Sequence, residues 1–383
     1  MLKIVHIHTD LKFLIETECF NEFFFSNTVI IIGKNIPYEE VSSFHPIVVS
    51  SSHTGLRKVV EICSNADMVV LYELDRLKAY IALKIPQNIA IAWRFFGSEL
   101  YNKNIINYLS DNSLKFYNTK KEKLSKVFSY KALYGKFVSE LKNRTYPGNY
   151  FANAIKRVDL FLCLSKYEYD HLTQSWGNLP PFIQIPFSYK FAYRNVNDKK
   201  DMVIIGNSRS IYNNHIDVIE LIEKSYYNNQ LSFLIPFSYG MENYYTNEIK
   251  RLVNITHKNI VLLENFMPYE SYFDLVGGAK AAVFNCYRQM AMGNIFEFLN
   301  SGIKIYLSNH NVIYQWLKDL GLKIFTIEEF VSDLESDNLE LSSEDKKRNI
   351  LILNNFSSHF TEEQFVFDIT SIVKSKDADQ STL

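Results

Sequence analysis

Short apolar runs recur along the chain and alternate with segments whose apolar positions lie three or four residues apart. In the first half the runs predict strands at Leu2–His8, Thr28–Ile32, Pro46–Val49, Met68–Tyr72, Ile89–Trp93 and Leu160–Leu164. Helical spacing lies between several of these runs, as in His53–Asn65 and Asp75–Lys84. Strands that alternate with helices indicate a parallel, doubly wound α/β sheet.

The alternation breaks between residues 180 and 200, where Pro180, Pro181 and Pro186 precede a polar run, and then restarts. Beyond the break, strands are predicted at Met202–Ile205, Leu231–Ile235, Val261–Leu263, Ala281–Phe284 and Ile303–Leu307. Helices are predicted at Ile211–Ser225, Glu242–Asn254, Tyr269–Gly277 and Glu344–Thr370. The sequence therefore predicts two α/β domains, residues 1–185 and 186–370, followed by a frayed tail over 371–383.

The composition fits a soluble globular protein, with 47% apolar and 22% charged residues among 383. The net charge of −1 gives no general argument for binding nucleic acid. The cysteines, Cys19, Cys63, Cys163 and Cys286, are far apart, which argues against disulfides and a zinc site. Cys63 and Cys163 stand in apolar surroundings, which predicts that their thiols are buried. No apolar run approaches the roughly 18 residues of a membrane span. We therefore expect a cytoplasmic location.

One segment, Lys115–Arg157, departs from the neutral balance, because eleven basic residues against two acidic ones give it a net charge of +9. Apolar residues recur at helical spacing between Leu124 and Leu141. A basic amphipathic helix of this kind can lie on an anionic membrane surface. The alternative is a long helix that packs on the sheet and exposes its lysines to solvent.

The most distinctive loop follows the apolar run Ala281–Phe284. It carries Arg288 and Gln289 just ahead of a helix that is predicted to begin at Gly293-Asn294. The start of a helix offers free amide groups and a positive dipole end, and arginine binds phosphate oxygens in pairs, so this loop suits a phosphate or pyrophosphate. The alternative is an ordinary loop with a surface arginine.

Two further loops of the second half begin where a strand ends. Gly206-Asn207-Ser208 follows Met202–Ile205, with Asn213 or Asn214 as a candidate helix cap and His215 in the first turn of the helix. Ligands of doubly wound sheets bind at such strand ends, although turn chemistry alone also explains Gly-Asn-Ser. Tyr239 follows the next strand and could stack on a base, donate a hydrogen bond to a phosphate, or only pack.

In the first half, two acids follow strands. Glu99 comes just after Gly97, and Asp10 follows the first strand. A carboxylate at a strand end is a candidate general base, and an exposed loop acid without a role is the alternative. His6 and His8 share one strand face, but no acidic or cysteine partner lies at a useful spacing, so no metal site is predicted.

Taken together, these segments resemble glycosyltransferase family 56, the bacterial transferases of TDP-4-acetamido-4,6-dideoxygalactose. The matching stretches are Ile204–Ser208 with Asn213–Ile216, the Pro236 and Tyr239 turn, Arg288-Gln289 with Gly293, and Ser301–Asn309. In the first half, Trp93–Tyr101 is similar to a family run that carries Asp where this chain has Glu99, and the family has Thr where this chain has Asn294.

The resemblance implies a GT-B architecture, in which two Rossmann-like domains face a cleft. It implies an inverting, metal-independent enzyme without a cofactor, which moves a deoxy-amino sugar from a TDP-sugar to a polyprenyl-diphosphate-linked saccharide. Such an enzyme would work on the inner face of the cell membrane, with Lys115–Arg157 docked on the lipid. The implied donor-binding residues are Gly206, Asn207, Ser208, His215, Tyr239, Arg288, Gln289, Gly293 and Asn294. Glu99 would be the catalytic base, with Asp10 as second choice.

Two other classes stay open from the sequence. Nucleotide-sugar 2-epimerases share the GT-B architecture, but their characteristic His-Arg-Glu-Asn run does not occur in this chain. The other is a scaffold with this fold in a polysaccharide assembly complex, which would bind nucleotides poorly or not at all.

Overall fold

The structure, a computed structural model, describes residues 1–33, 45–127, 150–186, 200–227, 230–356 and 361–380. Their contacts divide the chain into two compact units. Unit 1 contains the described residues of 1–103, 150–186 and 361–380, and unit 2 contains those of 104–127 and 200–356. Each unit is built on one parallel sheet, as the alternation of strands and helices predicts.

The sheet of unit 1 has the order β3-β2-β1-β4-β5-β6-β7. Its strands are β1 (Leu2–His8), β2 (Phe25–Ile32), β3 (Ile47–Val49), β4 (Met68–Tyr72), β5 (Ala90–Arg94), β6 (Leu160–Cys163) and β7 (Phe182–Gln184). β1 lies inside the sheet, so that Ile7 stands opposite Ile30 of β2 on one side and Leu71 of β4 on the other. These three side chains are at most 1% exposed, which is why the strands read as continuous apolar runs.

Helices lie between these strands along the chain. They are α1 (His53–Cys63), α2 (Arg76–Ala82), α3 (Ser98–Tyr101), α4 (Asp111–Val127), α5 (Tyr150–Arg157) and α6 (Lys166–Trp176), of which α4 belongs to unit 2. The first two are capped at their N-termini by the side chains of Ser52 and Asp75. The predicted strands of this half are all present. One further strand, β7, is not predicted from the sequence, because its three residues lie among the prolines that indicate a crossing between domains.

The sheet of unit 2 has the order β10-β9-β8-β11-β12. Its strands are β8 (Lys200–Ile205), β9 (Ser232–Pro236), β10 (Ile260–Leu263), β11 (Ala279–Phe284) and β12 (Lys304–Leu307). Its later helices are α7 (His215–Lys224), α8 (Tyr244–Ile255), α9 (Tyr269–Val276), α10 (Met292–Asn300), α11 (Tyr314–Asp319), α12 (Ile327–Glu335) and α13 (Ser343–Asn354). The last helix, α14 (Glu362–Gln380), belongs to unit 1.

The two units are not the simple halves that a boundary near residue 185 describes. α4 belongs to unit 2 because Asp217 of α7 binds its free amides: Asn112 N and Ser113 N donate to the two carboxylate oxygens at 2.8 and 3.0 Å. α14 belongs to unit 1, where Phe365 packs on Phe20 with ring centroids 5.1 Å apart. Residues 371–380, which the sequence predicts to be frayed, continue this helix.

The basic segment Lys115–Arg157 is described only at its two ends. At its start, Phe116 of α4 packs on the rings of Tyr244 and Tyr245 in unit 2, so this side chain is covered by protein. At its end, Arg157 is buried and donates to the carbonyls of Pro86 and Ile89 at 2.7 and 2.8 Å, so it is not part of a solvated basic face. The side chains predicted to form the apolar face between Leu124 and Leu141 lie outside the described residues.

Among the helices that the structure describes, none has the length and apolar content needed to cross a membrane.

Candidate functional site

The loops after β8 and β11 meet at the carboxyl edge of the second sheet. β8 and β11 are neighbours, but the chain leaves β8 towards β9 on one side and leaves β11 towards β12 on the other. This reversal of strand order is the point at which doubly wound sheets form a crevice for a ligand. The sequence placed Gly206–Ser208 and Arg288–Gln289 in these two loops, and the structure brings both loops to this edge.

The β8 loop turns at Gly206, whose φ is +64°. Its amide still donates to Val283 O of β11 at 2.8 Å, so the turn begins inside the sheet. A Cβ atom at this position would lie 2.9 Å from both the Asn213 side chain and His215 Nε2. Asn213 Nδ2 in turn donates to the carbonyl and hydroxyl oxygens of Ser208 at 3.0 and 3.2 Å. Gly206 is therefore required by its backbone angle and by the two buried side chains packed against it.

Asn214 holds the two loops together. It lies at the N-cap position of α7 in the left-handed conformation, and its side chain makes no capping bond there, so our prediction of a side-chain helix cap is wrong at this residue. Its Nδ2 instead donates to Asn285 O of the β11 loop at 2.7 Å, and its Oδ1 accepts from Ser110 N at 3.0 Å. The predicted helix Ile211–Ser225 is accordingly split at Asn214 into a 3₁₀ turn, Ile211–Asn213, and α7.

His215 is completely buried behind the β8 loop. Its backbone amide and its Nδ1 both lie within hydrogen-bond distance of the Tyr245 hydroxyl, at 3.0 and 3.2 Å. Nε2 has no hydrogen-bond partner in the part of the chain that the structure describes. Burial lowers the pKa of His215 to about 3, so the imidazole is neutral over the physiological range.

This neutrality predicts a pH dependence of stability. The unfolded chain binds a proton at this histidine below its ordinary pKa of 6.5, whereas the folded chain binds it only near 3, so stability is lost as pH falls between these values. The expected slope is about 1.4 kcal/mol per pH unit for this one group. Urea unfolding of the wild type and His215→Gln at pH 7 and pH 5 measures it. An unchanged slope in the variant would contradict the assignment.

Asn311 fixes the β11 loop from the other side. Its buried Nδ2 donates to Cys286 O at 2.7 Å and to Arg288 O at 3.0 Å. The next residue, Val312, donates its amide to Tyr287 O at 3.1 Å. With Asn285 held by the β8 loop, the backbone of the loop that carries Arg288 is tied on both flanks. No sequence pattern indicates this role, because Asn311 lies after the following strand, more than twenty residues away.

The Arg288 guanidinium lies over the ring of Tyr212, with 4.8 Å from its central carbon to the ring centroid. Tyr212 belongs to the 3₁₀ turn of the β8 loop, so this contact joins the two loops through side chains. Burial raises the pKa of Tyr212 to about 12, and the neighbouring arginine charge opposes that rise. Arg288 therefore presents a planar, positively charged group at the strand edge.

α10 begins directly after this loop, at Met292, and the preceding Ala291 has a φ of +58°. Alanine offers no capping side chain, so the first amides of the helix receive no cap from it. The helix thus begins one residue earlier than the predicted start at Gly293. Gly293 and Asn294 lie in its first turn, and both are half-buried. Gln289 Oε1, just ahead of the helix, is buried and has no partner among the described residues.

Glu297 is a residue that the sequence analysis missed. It lies four residues after Gly293, so both are on the same face of α10, and long helical side chains lean towards the N-terminus of their helix. The side chain is 2% exposed. Oε1 accepts from the Tyr269 hydroxyl at 2.7 Å, whereas Oε2 is buried and has no partner in the described residues. An acid inside the apolar run Ile295–Leu299 carries no sequence signal of its own.

Arg209 links the β8 loop to the β9 loop. Its amide donates to Tyr239 O at 2.8 Å, and its guanidinium donates to Phe237 O and, at 3.4 Å, to Gly240 O. Tyr239 is thereby placed beside the β8 loop, with 55% of its surface exposed. Asn207 and Ser208 lie in the β8 loop between Gly206 and Arg209. The donor residues predicted in unit 2 thus fall along the neighbouring loops after β8, β9 and β11.

In unit 1, Glu99 is a buried acid of α3. Its Oε1 accepts from Trp93 Nε1 at 3.0 Å, from Leu74 N at 3.3 Å and from Phe96 N at 3.4 Å. Oε2 is buried and has no partner in the described part of unit 1. Burial raises the pKa of Glu99, and the nearby Glu73 adds to the rise. The alternative interpretation of Glu99 as an exposed loop acid is therefore wrong, since its side chain is buried.

Asp10 is exposed and caps the 3₁₀ helix Leu11–Cys19, accepting from Lys12 N at 3.0 Å. The loop after β4 contacts Glu99 itself and Thr9, the residue before Asp10. Asp75 accepts from the hydroxyl of Thr9, next to Asp10, at 3.2 Å, and Leu74 binds Glu99 as described above. The two acids predicted from the sequence therefore both border the carboxyl edge of the first sheet.

Metal-binding groups do not come together in the described residues, where no three His, Cys, Asp or Glu side chains share a site. His6 and His8 are instead buried and bonded to neighbours, His6 to Tyr72 and Asn27 and His8 to Thr17. The four cysteines are buried free thiols, as predicted for Cys63 and Cys163.

Comparison with known proteins gives this arrangement a class. Residues 183–364 match the family model described as 4-alpha-L-fucosyltransferase, glycosyl transferase group 56. Among solved structures, the chain is similar to Anabaena HepE in complex with UDP and glucose, with a TM-score of 0.63, 12% identity and coverage of 98% of this chain and 100% of that one.

Two other solved structures are also similar. The N-terminal domain of trehalose-6-phosphate phosphatase from Candida albicans has a TM-score of 0.63 and 11% identity, over 98% of this chain and 97% of that one. The lipopolysaccharide outer core galactosyltransferase WaaB has a TM-score of 0.57 and 10% identity, over 98% and 100%. At these identities the structures show the fold alone.

The fold is α/β of the GT-B type. Together with the family match, this fold identifies the chain as a glycosyltransferase. Within that class, residues 183–364, which contain the site just described in unit 2, match glycosyltransferase group 56. The fold class and the resemblance predicted from the sequence are both confirmed.

Proposed function

We propose that this chain is an inverting, metal-independent glycosyltransferase that moves 4-acetamido-4,6-dideoxygalactose, or a similar deoxy-amino sugar, from a TDP-sugar to a lipid-linked saccharide in bacterial surface polysaccharide synthesis. The observation that carries the proposal is Arg288 in a braced loop directly ahead of the uncapped start of α10, at the switch point of the second sheet. The match to group 56 over the same residues supports it.

The donor pyrophosphate fits the start of α10. The first amides of the helix point out of it and its dipole favours an anion, while Arg288 supplies a forked cation for phosphate oxygens. When the glycosidic bond to the phosphate breaks, negative charge develops on the leaving nucleoside diphosphate, and these groups stabilise that charge. Similar solved structures with UDP bound, such as Anabaena HepE, support a nucleotide donor.

Two neighbouring groups suit the rest of the donor. Glu297 Oε2 is a buried acceptor without a partner in the described residues, on the same face of α10 as Gly293, and a hydroxyl of the nucleotide sugar would satisfy it. Tyr239, half exposed beside the β8 loop, offers a ring for the nucleotide base. Asn207 and Ser208 belong to the β8 loop, whose strand lies between those that precede the loops of Tyr239 and Arg288.

The acceptor hydroxyl must lose its proton as it attacks the anomeric carbon. Glu99 is our first choice for the base, since burial raises its pKa and its Oε2 has no partner in the described part of unit 1. Asp10 is the second choice.

Glu99→Gln is expected to lower the transfer rate by about 10²–10⁴-fold with the Kd for TDP unchanged. Glutamine keeps the oxygen that accepts from Trp93, Leu74 and Phe96, so the fold is retained. Turnover of a labelled donor on a lipid-linked acceptor, with binding measured by calorimetry, separates the two effects. Asp10→Asn is the matched variant, and if it loses activity while Glu99→Gln does not, Asp10 is the base.

The first test of the function is calorimetry with TDP, UDP, GDP and ADP, each with and without Mg²⁺. We expect binding of TDP that does not depend on the metal, and a ligand at 100 times its Kd should stabilise the protein by about 2.7 kcal/mol. Absence of binding to any nucleotide would contradict the donor site and favour a scaffold. Conversion of a nucleotide sugar in the absence of an acceptor would instead identify a 2-epimerase.

We also propose that the protein works on the inner face of the cell membrane, where a polyprenyl-diphosphate acceptor resides. The high positive charge of the segment Lys115–Arg157 supports this. Sedimentation with vesicles of anionic and of neutral lipid tests it: we expect binding to the anionic vesicles that weakens with salt. Equal sedimentation with both would contradict an electrostatic attachment.

A further inference from the structure

Glu297 and Tyr269 form a pair that bears on which nucleotide sugar unit 2 accepts. The Tyr269 hydroxyl donates to Glu297 Oε1 at 2.7 Å, which leaves Oε2 as the oxygen without a partner among the described residues. The carboxylate is 98% buried, whereas Tyr269, the first residue of α9, is half exposed. A ligand at the start of α10 therefore meets a carboxylate whose second oxygen is already engaged.

A ribose and a 2′-deoxyribose place different demands on such a carboxylate. The ribose of a nucleoside diphosphate carries neighbouring 2′ and 3′ hydroxyls, and two carboxylate oxygens can accept from both. A 2′-deoxyribose carries only the 3′ hydroxyl, which a single oxygen satisfies. Because Oε1 already accepts the Tyr269 hydroxyl, an extra hydroxyl must share that oxygen with the tyrosine. A hydroxyl that is poorly satisfied when it is buried on binding costs affinity, so the tyrosine disfavours the extra hydroxyl.

We infer that Tyr269 determines specificity for the sugar of the nucleotide: by occupying Glu297 Oε1, it favours donors that lack the 2′-hydroxyl over ribonucleotide donors. The inference rests on the proposed function, because it takes the start of α10 as the diphosphate site. Beyond that function, it assigns the choice between deoxyribonucleotide and ribonucleotide to one tyrosine hydroxyl.

The chain supplies a matched control on the same helix. Tyr272 lies one turn further along α9, and its hydroxyl accepts from Asn294 Nδ2 at 3.3 Å without contacting Glu297 in the described hydrogen bonds. Tyr269→Phe and Tyr272→Phe each remove one hydroxyl and retain the ring. Only the first releases Glu297 Oε1.

The test is calorimetric binding of UDP, dUDP and TDP. UDP and dUDP differ only in the 2′-hydroxyl, and dUDP and TDP differ only in the methyl group of the base, so the sugar and base contributions are separated. For the wild type we expect dUDP to bind about tenfold more tightly than UDP. In Tyr269→Phe this ratio should fall towards one, mainly through tighter binding of UDP, while Tyr272→Phe keeps the wild-type ratio.

The outcomes distinguish this inference from the function on which it rests. If the wild type binds none of the three nucleotides, the proposed donor site is wrong and the inference falls with it. If the wild type binds nucleotides but does not prefer dUDP to UDP, or if Tyr269→Phe keeps the wild-type ratio, only the inference is overturned. The wild-type comparison needs no variant, so it holds even if Tyr269→Phe folds poorly.

Discussion

Arg288→Ala is expected to lower the rate of sugar transfer by about 10²–10³-fold, while the free energy of unfolding changes little. The guanidinium is our proposed partner for the charge that develops on the leaving diphosphate. A group that acts on developing charge contributes more to the transition state than to the bound donor, so kcat should fall more than the affinity for TDP.

The structure explains why folding should survive this change. The carbonyl of Arg288 is held by Asn311, and the start of the same loop is held by Asn214 through Asn285 O. These bonds do not involve the guanidinium, which lies over the face of the Tyr212 ring. The backbone of the loop should therefore keep its course when the side chain is shortened.

Two further variants sharpen the test. Arg288→Lys keeps the charge but loses the fork and the stacking on Tyr212, so it should recover only part of the activity. Arg251→Ala removes an equal charge from the surface of the same unit, where Arg251 pairs with Glu248, and should leave transfer unchanged. An Arg288→Ala enzyme with full activity, or one that unfolds, would show that the assigned role is wrong.

The strands could be predicted because a parallel sheet covered on both faces needs continuous apolar runs. β1 matches its prediction at both ends, and β4 does as well. β7 could not be found in this way, since Phe182–Gln184 is too short to show a period and stands among prolines. The positions of the two chief loops then follow from the strands, because loops that leave parallel strands at their carboxyl ends collect at one edge.

The division into units and the bracing of the site depend on contacts between residues far apart in sequence. α4 belongs to unit 2 because one carboxylate, Asp217, binds its amides across more than a hundred residues. Asn214 and Asn311 look like ordinary turn residues in the sequence, and their roles exist only once the loops are folded. Glu297 was hidden for a different reason: its neighbours on α10 are buried apolar residues, so nothing in the pattern marks it.

The second large effect is expected at the turn of the β8 loop. Gly206→Ala should destabilise unit 2 by about 2–4 kcal/mol. Of this, about 1–2 kcal/mol comes from holding an L-residue in a left-handed backbone conformation, and the remainder comes from overpacking. The added methyl group would lie 2.9 Å from both Asn213 and His215 Nε2. Both side chains are buried, and Asn213 is held by Ser208, so neither can move aside freely.

Gly177→Ala is the control that separates these two causes. Gly177 follows α6 in unit 1 with a φ of +79°, and a Cβ atom there would have no neighbour within 4 Å. Its substitution therefore carries the backbone strain without the crowding, and should cost about 1–3 kcal/mol. Hydrogen exchange of β8 amides for Gly206→Ala, and of β6 amides for Gly177→Ala, reports the stability of each unit separately.

The comparison also bears on the site, because Gly206 fixes the start of the loop that contains Tyr212, the ring beneath Arg288. If crowding displaces Asn213 and His215, the β8 loop must shift, and nucleotide binding should weaken together with the stability of β8. Equal destabilisation by the two alanine substitutions would show that the backbone angle alone requires glycine at position 206. A larger loss at 206, accompanied by weaker TDP binding, would show that the packing of Asn213 and His215 against the turn holds the donor loop in place.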